Sequence, residues 1–314
     1  MQHQSRETQR TSPIISAMHE RVCLITGATS GIGRSTAYEL ARLENTVVLV
    51  GRDKKKCAAT AENIVRTTGN RSVDYLVADL SSQDDILALA RQFLGKYSRL
   101  DVLVNNAGTI AWTRQSSPDG IELTFAVNHL SYFLLTNLLT DILRSSTPSR
   151  IINVSSVAHA GVELDLDDVQ NPKRYRALQA YGRSKLANLL FTYELASRLE
   201  SSGVTVNALH PGLVATNLAS NGKMPLGWIS RPILRSALAI AGRKVVQGNR
   251  TLVYLATAED VAGITGKYFV DEAETNSSPA SYDIRMASLL WELSDRLTDH
   301  SPSGPSTRNY SERT

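Results

Sequence analysis

Residues 21–40 read Arg-Val-Cys-Leu-Ile-Thr-Gly-Ala-Thr-Ser-Gly-Ile-Gly-Arg-Ser-Thr-Ala-Tyr-Glu-Leu, and this stretch decides the fold. The apolar run Arg21–Thr26 ends in glycines, as a short buried strand does. Ile32–Leu43 is apolar with helical spacing. Between them, Gly27 allows a tight turn, Gly31 lets the backbone approach a pyrophosphate, and Gly33 lets the helix close on the strand. The helix N-terminus presents unpaired N–H groups and a partial positive charge to an anion. Strand, glycine turn and helix in this order point to a dinucleotide site, with Thr29, Ser30 and Ile32 at its turn.

The same alternation continues outward. Apolar runs at Thr46–Val50, Ser72–Val77, Leu100–Val104, Arg150–Ser155, Val204–Leu209 and Gly266–Val270 read as further strands. Helical patterns fall at Lys54–Thr67, Asp84–Tyr97, Ile121–Leu143 and Tyr181–Ser201. Continuous apolar strands separated by helices imply right-handed crossovers and a parallel sheet covered on both faces. The expected fold is α/β, a Rossmann-type doubly wound parallel sheet of about seven strands, in one domain over residues 20–300. Polar segments 1–19 and 301–314 read as disordered tails. A cover for the substrate is expected at about 217–245.

Composition narrows the function. The 314 residues carry a net charge of +4, without a dense basic block, so a nucleic-acid partner is not expected. Two cysteines, Cys23 and Cys57, exclude a disulfide scaffold and a four-cysteine metal site. The acid-rich stretch Glu163–Asp168 has no histidine or cysteine partner set and reads as a solvated loop, so no metal is expected. The N-terminus lacks the apolar run of a signal peptide, which points to the cytoplasm. Met224–Gly242 is the most apolar long stretch, but Arg231 and Arg235 would each cost ~2.5–3.5 kcal/mol at a bilayer centre, and two prolines interrupt it. A membrane span is not expected there. Contact with a membrane surface, a pocket for a lipophilic carbonyl and core packing remain three readings of it.

Further chemistry lies at the strand ends. Tyr181-Gly-Arg-Ser-Lys185 puts a phenol and an ammonium one helical turn apart on one face. A neighbouring cation is expected to lower the phenol toward use as an acid–base group at neutral pH. The pair Ser155-Ser156 ends the fifth strand, and a hydroxyl there can polarise a substrate oxygen. No Gly-x-Ser-x-Gly elbow supports a hydrolase. The second strand ends Val50-Gly51-Arg52-Asp53, without the acid that would bond a ribose 2′-hydroxyl, and Arg52 offers a guanidinium to a 2′-phosphate. Asp53 either caps the next helix or opposes that phosphate.

Thr26-Gly-Ala-Thr-Ser-Gly-Ile-Gly33, followed by Asn105-Asn-Ala-Gly108, Ser156 and Tyr181-x-x-x-Lys185, resembles the short-chain dehydrogenase/reductase superfamily across about residues 20–300. That resemblance implies a catalytic set of Ser156, Tyr181, Lys185 and Asn128, with Asn128 in a proton relay. The competing reading of Asn128 is a hydrogen bond within the core. The resemblance further implies an adenine contact at Asp79-Leu80, for which the rival reading is a helix cap before Gln83. It implies a brace and adenosine contact at Asn106, Ala107 and Gly108. A nicotinamide-side turn is implied at Pro211 and Gly212, with Val214 and Thr216 beyond it. Lys185 would also bond the nicotinamide ribose. Arg52 stands where NADP-users carry a base, which implies NADP(H).

The long segment 157–180 between Ser156 and Tyr181, with Gly266-Lys-Tyr-Phe269 and Leu290-Trp-Glu-Leu-Ser294, resembles the retinol dehydrogenase-like and WW-domain-oxidoreductase-like branch. The expected activity is hydride transfer between NADP(H) and a carbonyl/alcohol pair on a lipophilic small molecule. The rival is a non-catalytic NADP(H)-binding sensor or scaffold. Helices 121–143 and 181–201 form dimer faces in the superfamily, implying a homo-oligomer.

Overall fold

The structure, a computed structural model, describes residues 21–170, 174–212 and 249–298. The expected tails, the cover at 217–245, the stretch 224–242, Val214 and Thr216 lie outside the described residues. One sheet runs in the order β3-β2-β1-β4-β5-β6-β7-β8. Its strands are β1 (Val22–Thr26), β2 (Thr46–Gly51), β3 (Val73–Val77), β4 (Val102–Asn105), β5 (Ser149–Val154), β6 (Val204–His210), β7 (Lys267–Val270) and β8 (Ala273–Glu274). The first seven pair in parallel, and the two-residue β8 adds antiparallel to the edge. The eighth strand is too short to leave an alternating pattern in the sequence.

Strand alternation builds two cores. On β1 and β2, Val22, Leu24, Val48 and Val50 face one layer, and Cys23, Ile25, Val47 and Leu49 face the other. Side chains on successive strand residues point to opposite faces, so strands buried on both sides are apolar throughout. Helices α1 (Gly31–Arg42), α2 (Lys54–Thr68) and α8 (the helical residues 249–257) cover one face. Helices α3 (Gln83–Lys96), α5 (Ser131–Leu138) and α7 (Ala177–Arg198) cover the other. Both cysteines are free and buried, and burial pushes the Cys23 thiol up to about 12. Among the described residues no helix is long and apolar enough to cross a membrane.

The single helix expected over Ile121–Leu143 is four pieces: α4 (Leu123–Phe125), a π-helical turn (Ala126–Leu130), α5, and α6 (Thr140–Ser145). An i→i+5 turn inserts one residue into the helical repeat without changing the apolar composition, so periodicity does not reveal it. β5 ends at Val154 rather than Ser155. The helix α9 (Ile284–Thr298) crosses α5 and α7. Its Trp291 meets Phe133 edge-on at 4.9 Å and stacks on Phe191 at 5.9 Å, while the Arg198 guanidinium lies 4.1 Å from the ring centre. One side of α5 and of α7, the helices implied for subunit pairing, is thus packed against the chain's own α9.

Trp291→Ala should remove about 3 kcal/mol of stability, the usual scale for a large aromatic cut from a packed site. Urea unfolding measures it, and a loss within experimental error would mean α9 is not anchored by this ring.

Candidate functional site

β1 has β2 on one side and β4 on the other, so the chain crosses over at that point and a crevice opens beyond the strand ends. The glycine turn closes one wall of it. Gly27 and Gly31 have φ of +66° and +53°, which L side chains seldom adopt. A Cβ on Gly33 would lie 2.5 Å from the Gly27 carbonyl oxygen, so the helix can close on the turn only with glycine there. Ser30 begins α1 without a side-chain cap bond, and the first turn of the helix holds no acidic residue. Among the described residues, the N–H groups at Gly31, Ile32 and Gly33 thus have neither a partner nor a competing carboxylate, which suits a pyrophosphate. Thr29 is half-buried beside them.

At the end of β2, Gly51 has a packing cause of its own. A Cβ there would lie 2.7 Å from Thr29 Cγ2 and 2.9 Å from Cys57 Sγ. The missing acid at this position thus has a packing cause in the approach of the turn and α2. Arg52 is exposed at the rim. Asp53 caps α2, accepting from the Lys56 N–H at 3.1 Å. Asp79 is not the helix cap: Ser82 caps α3, and the Asp79 carboxylate accepts from the Ser81 N–H and hydroxyl at 3.0 and 2.8 Å. Leu80 is buried in the core.

Beyond β4, Asn106 donates its amide to the Thr26 carbonyl at 2.8 Å, and the Asn106 and Ala107 N–H groups both reach the Thr26 hydroxyl. This part of the loop is a brace. Gly108 lies where a Cβ would sit 3.5 Å from Asn128 Oδ1 and 3.7 Å from Lys185 Nζ. Asn128 is in the π-helical turn and fully buried. Its Oδ1 accepts from Thr109 N–H at 2.7 Å, and its Nδ2 donates to the Thr109 carbonyl at 3.0 Å and to Ser184 Oγ at 2.9 Å. That bond set is the core reading of Asn128, with the amide turned into the fold.

The serine pair divides as strand alternation requires. Ser155 is buried and donates to the Lys185 carbonyl at 2.8 Å, whereas the Ser156 hydroxyl accepts from the Ala158 N–H at 3.3 Å and interacts with the Tyr181 phenol. Lys185 is buried, with Nζ donating to the Val154 carbonyl at 2.9 Å and lying 5.8 Å from the Tyr181 ring centre. The expected lowering of the phenol by this cation is absent. Burial pushes the Tyr181 phenol up, and only the Ser156 contact offsets it. Burial also lowers the Lys185 ammonium to about 7, so a full positive charge is not sustained beside the phenol at neutral pH. Gly212, at φ +77°, follows buried Pro211 at the end of β6.

Two further residues of this neighbourhood were not expected as site residues. Asn188, one turn beyond Lys185, shares the Val154 carbonyl at 3.3 Å. His159 binds the Ser156 carbonyl at 2.6 Å.

A family model described as short chain dehydrogenase matches residues 21–224. The chain is 41% identical over 290 residues to retinol dehydrogenase 14 of Mus musculus, covering 88% of this chain and 86% of that protein. A solved structure of a protein from Mycobacterium paratuberculosis is similar with a TM-score of 0.70 and 34% identity, covering 88% of this chain and 93% of that one. Pseudomonas aeruginosa RhlG, solved with NADP, is similar with a TM-score of 0.61 and 27% identity over 79% of this chain and 93% of that one. The sheet, the glycine turn and these likenesses agree: the chain belongs to the short chain dehydrogenase family, oxidoreductases that use a nicotinamide cofactor, in its retinol dehydrogenase-like branch.

Proposed function

We propose that the protein is an NADP(H)-dependent oxidoreductase that interconverts a carbonyl and an alcohol on a lipophilic small molecule. The observation that carries this reading is the meeting of the Ser156 hydroxyl, the Tyr181 phenol and the Lys185 ammonium beside Gly108, at the carboxyl ends of the central strands. The cofactor supplies the hydride donor or acceptor when bound; the chain supplies the proton and the polarising bonds. In reduction, Tyr181 gives its proton to the carbonyl oxygen while Ser156 donates a hydrogen bond to the same oxygen. A phenol held up by burial stays protonated at neutral pH, the form an acid needs. Lys185 restores a proton or a charge beneath it, and a value of about 7 lets it do either. Asn128 keeps Thr109 and Ser184 in place around Lys185.

The α1 N-terminus would hold the pyrophosphate, Arg52 the 2′-phosphate, Lys185 the nicotinamide ribose, and Pro211-Gly212 would face the ring. A lipophilic substrate is supported by Val157 and Leu178. They flank Ser156 and Tyr181 in the chain and are 49% and 65% exposed. It is supported too by the similarity to retinol dehydrogenase 14.

Tyr181→Phe should lower kcat for NADPH-driven reduction of a long-chain aldehyde by about 10²-fold or more, with NADPH affinity nearly unchanged. Ser156→Ala should cost far more rate than Ser155→Ala; the reverse order would assign the active hydroxyl to Ser155. A charge-assisted bond to a 2′-phosphate is worth ~1.5–3 kcal/mol, so Arg52→Ala should cut kcat/KM with NADPH by roughly 10–150-fold and leave NADH unaffected. Equal losses with both cofactors would remove Arg52 from the phosphate site. Arg52 is the position to vary, since a side chain at Gly51 would displace Thr29 and Cys57.

A further inference from the structure

His159 stands in the short 3-10 turn Val157–Gly161 that follows Ser156, and it is 4% exposed. Its Nε2 lies 3.0 Å from the Ser278 N–H, which can only donate, so Nε2 is the acceptor. The ring proton is therefore on Nδ1, which donates to the Ser156 carbonyl at 2.6 Å. The His159 N–H reaches the same carbonyl at 3.1 Å. Both lone pairs of that oxygen are thereby taken, and the Ser156 main chain is held from one side chain and one backbone group.

The far side of the imidazole leads back to the helix that bears Tyr181. Ser277, beside Ser278, shares a hydrogen bond with the Tyr193 hydroxyl of α7 at 2.6 Å. The Tyr282 hydroxyl accepts from the Ser277 N–H at 3.0 Å, and its ring stacks on Tyr193 at 5.2 Å. A closed circuit results: α7, Tyr193, Ser277-Ser278, His159, Ser156, and across the Ser156–Tyr181 contact to α7 again. At Gly182 the 3-10 turn and α7 approach so closely that a Cβ would lie 2.8 Å from the Ala158 carbonyl oxygen.

We propose that His159, as the neutral Nδ1–H tautomer, is the positioning residue that sets Ser156 against Tyr181, and that protonation at Nε2 releases it. The proposal rests on the catalytic reading of Ser156 and Tyr181. A proton on Nε2 would put two donors face to face, Nε2–H against the Ser278 N–H. The surroundings oppose that proton. From β6, His210 faces His159 as a second potential cation; burial first and His159 next hold it below the usual histidine value, with Asp271 pulling the other way. From β7, Tyr268 presents its ring edge-on at 5.4 Å. Burial keeps His159 below the usual histidine value, with the Ser156 carbonyl bond pulling the other way. The histidine is thus neutral at pH 7, and the lock is lost as pH falls through its lowered pKa. The same sign holds for stability, because the unfolded chain takes up the proton first on acidification.

The test follows NADPH-driven reduction of retinal and long-chain aldehydes from pH ~4.5 to ~8, across the histidine range, for the full chain, His159→Asn and His159→Phe. The Asn amide can replace Nδ1–H toward the Ser156 carbonyl and cannot be protonated. His159→Asn should keep most of kcat at pH ~7 and lose the acid fall that the unmodified protein shows. His159→Phe should lose kcat by about 10-fold or more, with KM for NADPH within about two-fold, as a misplaced group does. Wild-type kcat and an unchanged acid limb in His159→Phe, or in His159→Asn where the Phe variant does not fold, would overturn the proposal. Nitrogen-15 NMR of the imidazoles reads the tautomer without turnover. An Nε2–H tautomer at His159 would also overturn it. An unmodified protein that reduces none of the aldehydes would instead count against the proposed function, while the tautomer still decides the lock.

Discussion

At the crossover between β1 and β4 the chain leaves two neighbouring parallel strands toward opposite sides, and the ladder that pairs them stops at Ile25 and Val104, so the loops beyond need another tie. Thr26 supplies it. Its hydroxyl donates to the Val104 carbonyl at 3.3 Å and accepts from the Asn106 and Ala107 N–H groups, while the Asn106 amide returns to the Thr26 carbonyl. The glycine turn begins at the next residue, so its path is set by this clamp. A buried polar cluster of this kind stabilises only when every member is paired, and here the donors and acceptors facing each other are matched. The cofactor wall and the loop leading to Gly108 depend on that match.

The second constraint is electrostatic. Lys185 is buried against the Val154 carbonyl, and the described side chains around its Nζ bring the rings of Tyr132 and Tyr181 rather than a carboxylate. A buried ammonium without a counter-ion gives up its proton easily. The phenol is moved the other way by the same burial. Two groups with ordinary values close together are thus driven apart, one toward neutrality at pH 7 and one firmly protonated. Such separation suits an acid that is resupplied from beneath it.

The helical side of the molecule is closed by α9. His129 of the π-helical turn meets Ser294 at 2.9 Å, and Ala287 and Leu290 pack with Phe125, Leu186 and Leu190. The π-helical turn is therefore held from both directions, by Asn128 toward the site and by His129 toward α9. Burial lowers the His129 imidazole to about 3, so it stays neutral and structural.

Much of this was legible in the sequence. Parallel strands buried on both faces must be apolar without interruption, and the glycines at positions 27, 31 and 33 answer to local backbone geometry and close approach. Such requirements act within a few residues, so the positions of the strands along the chain, the turn and the Tyr181–Lys185 spacing could be read directly. What the sequence could not hold is whatever depends on partners far along the chain. The break of the 121–143 helix goes with Asn128 bonding Thr109, the reason for Gly51 lies with Thr29 and Cys57, and the state of Lys185 with burial beneath β5. His159 shows the limit best. Its tautomer is set by a backbone N–H 119 residues away, and only folding brings the two together.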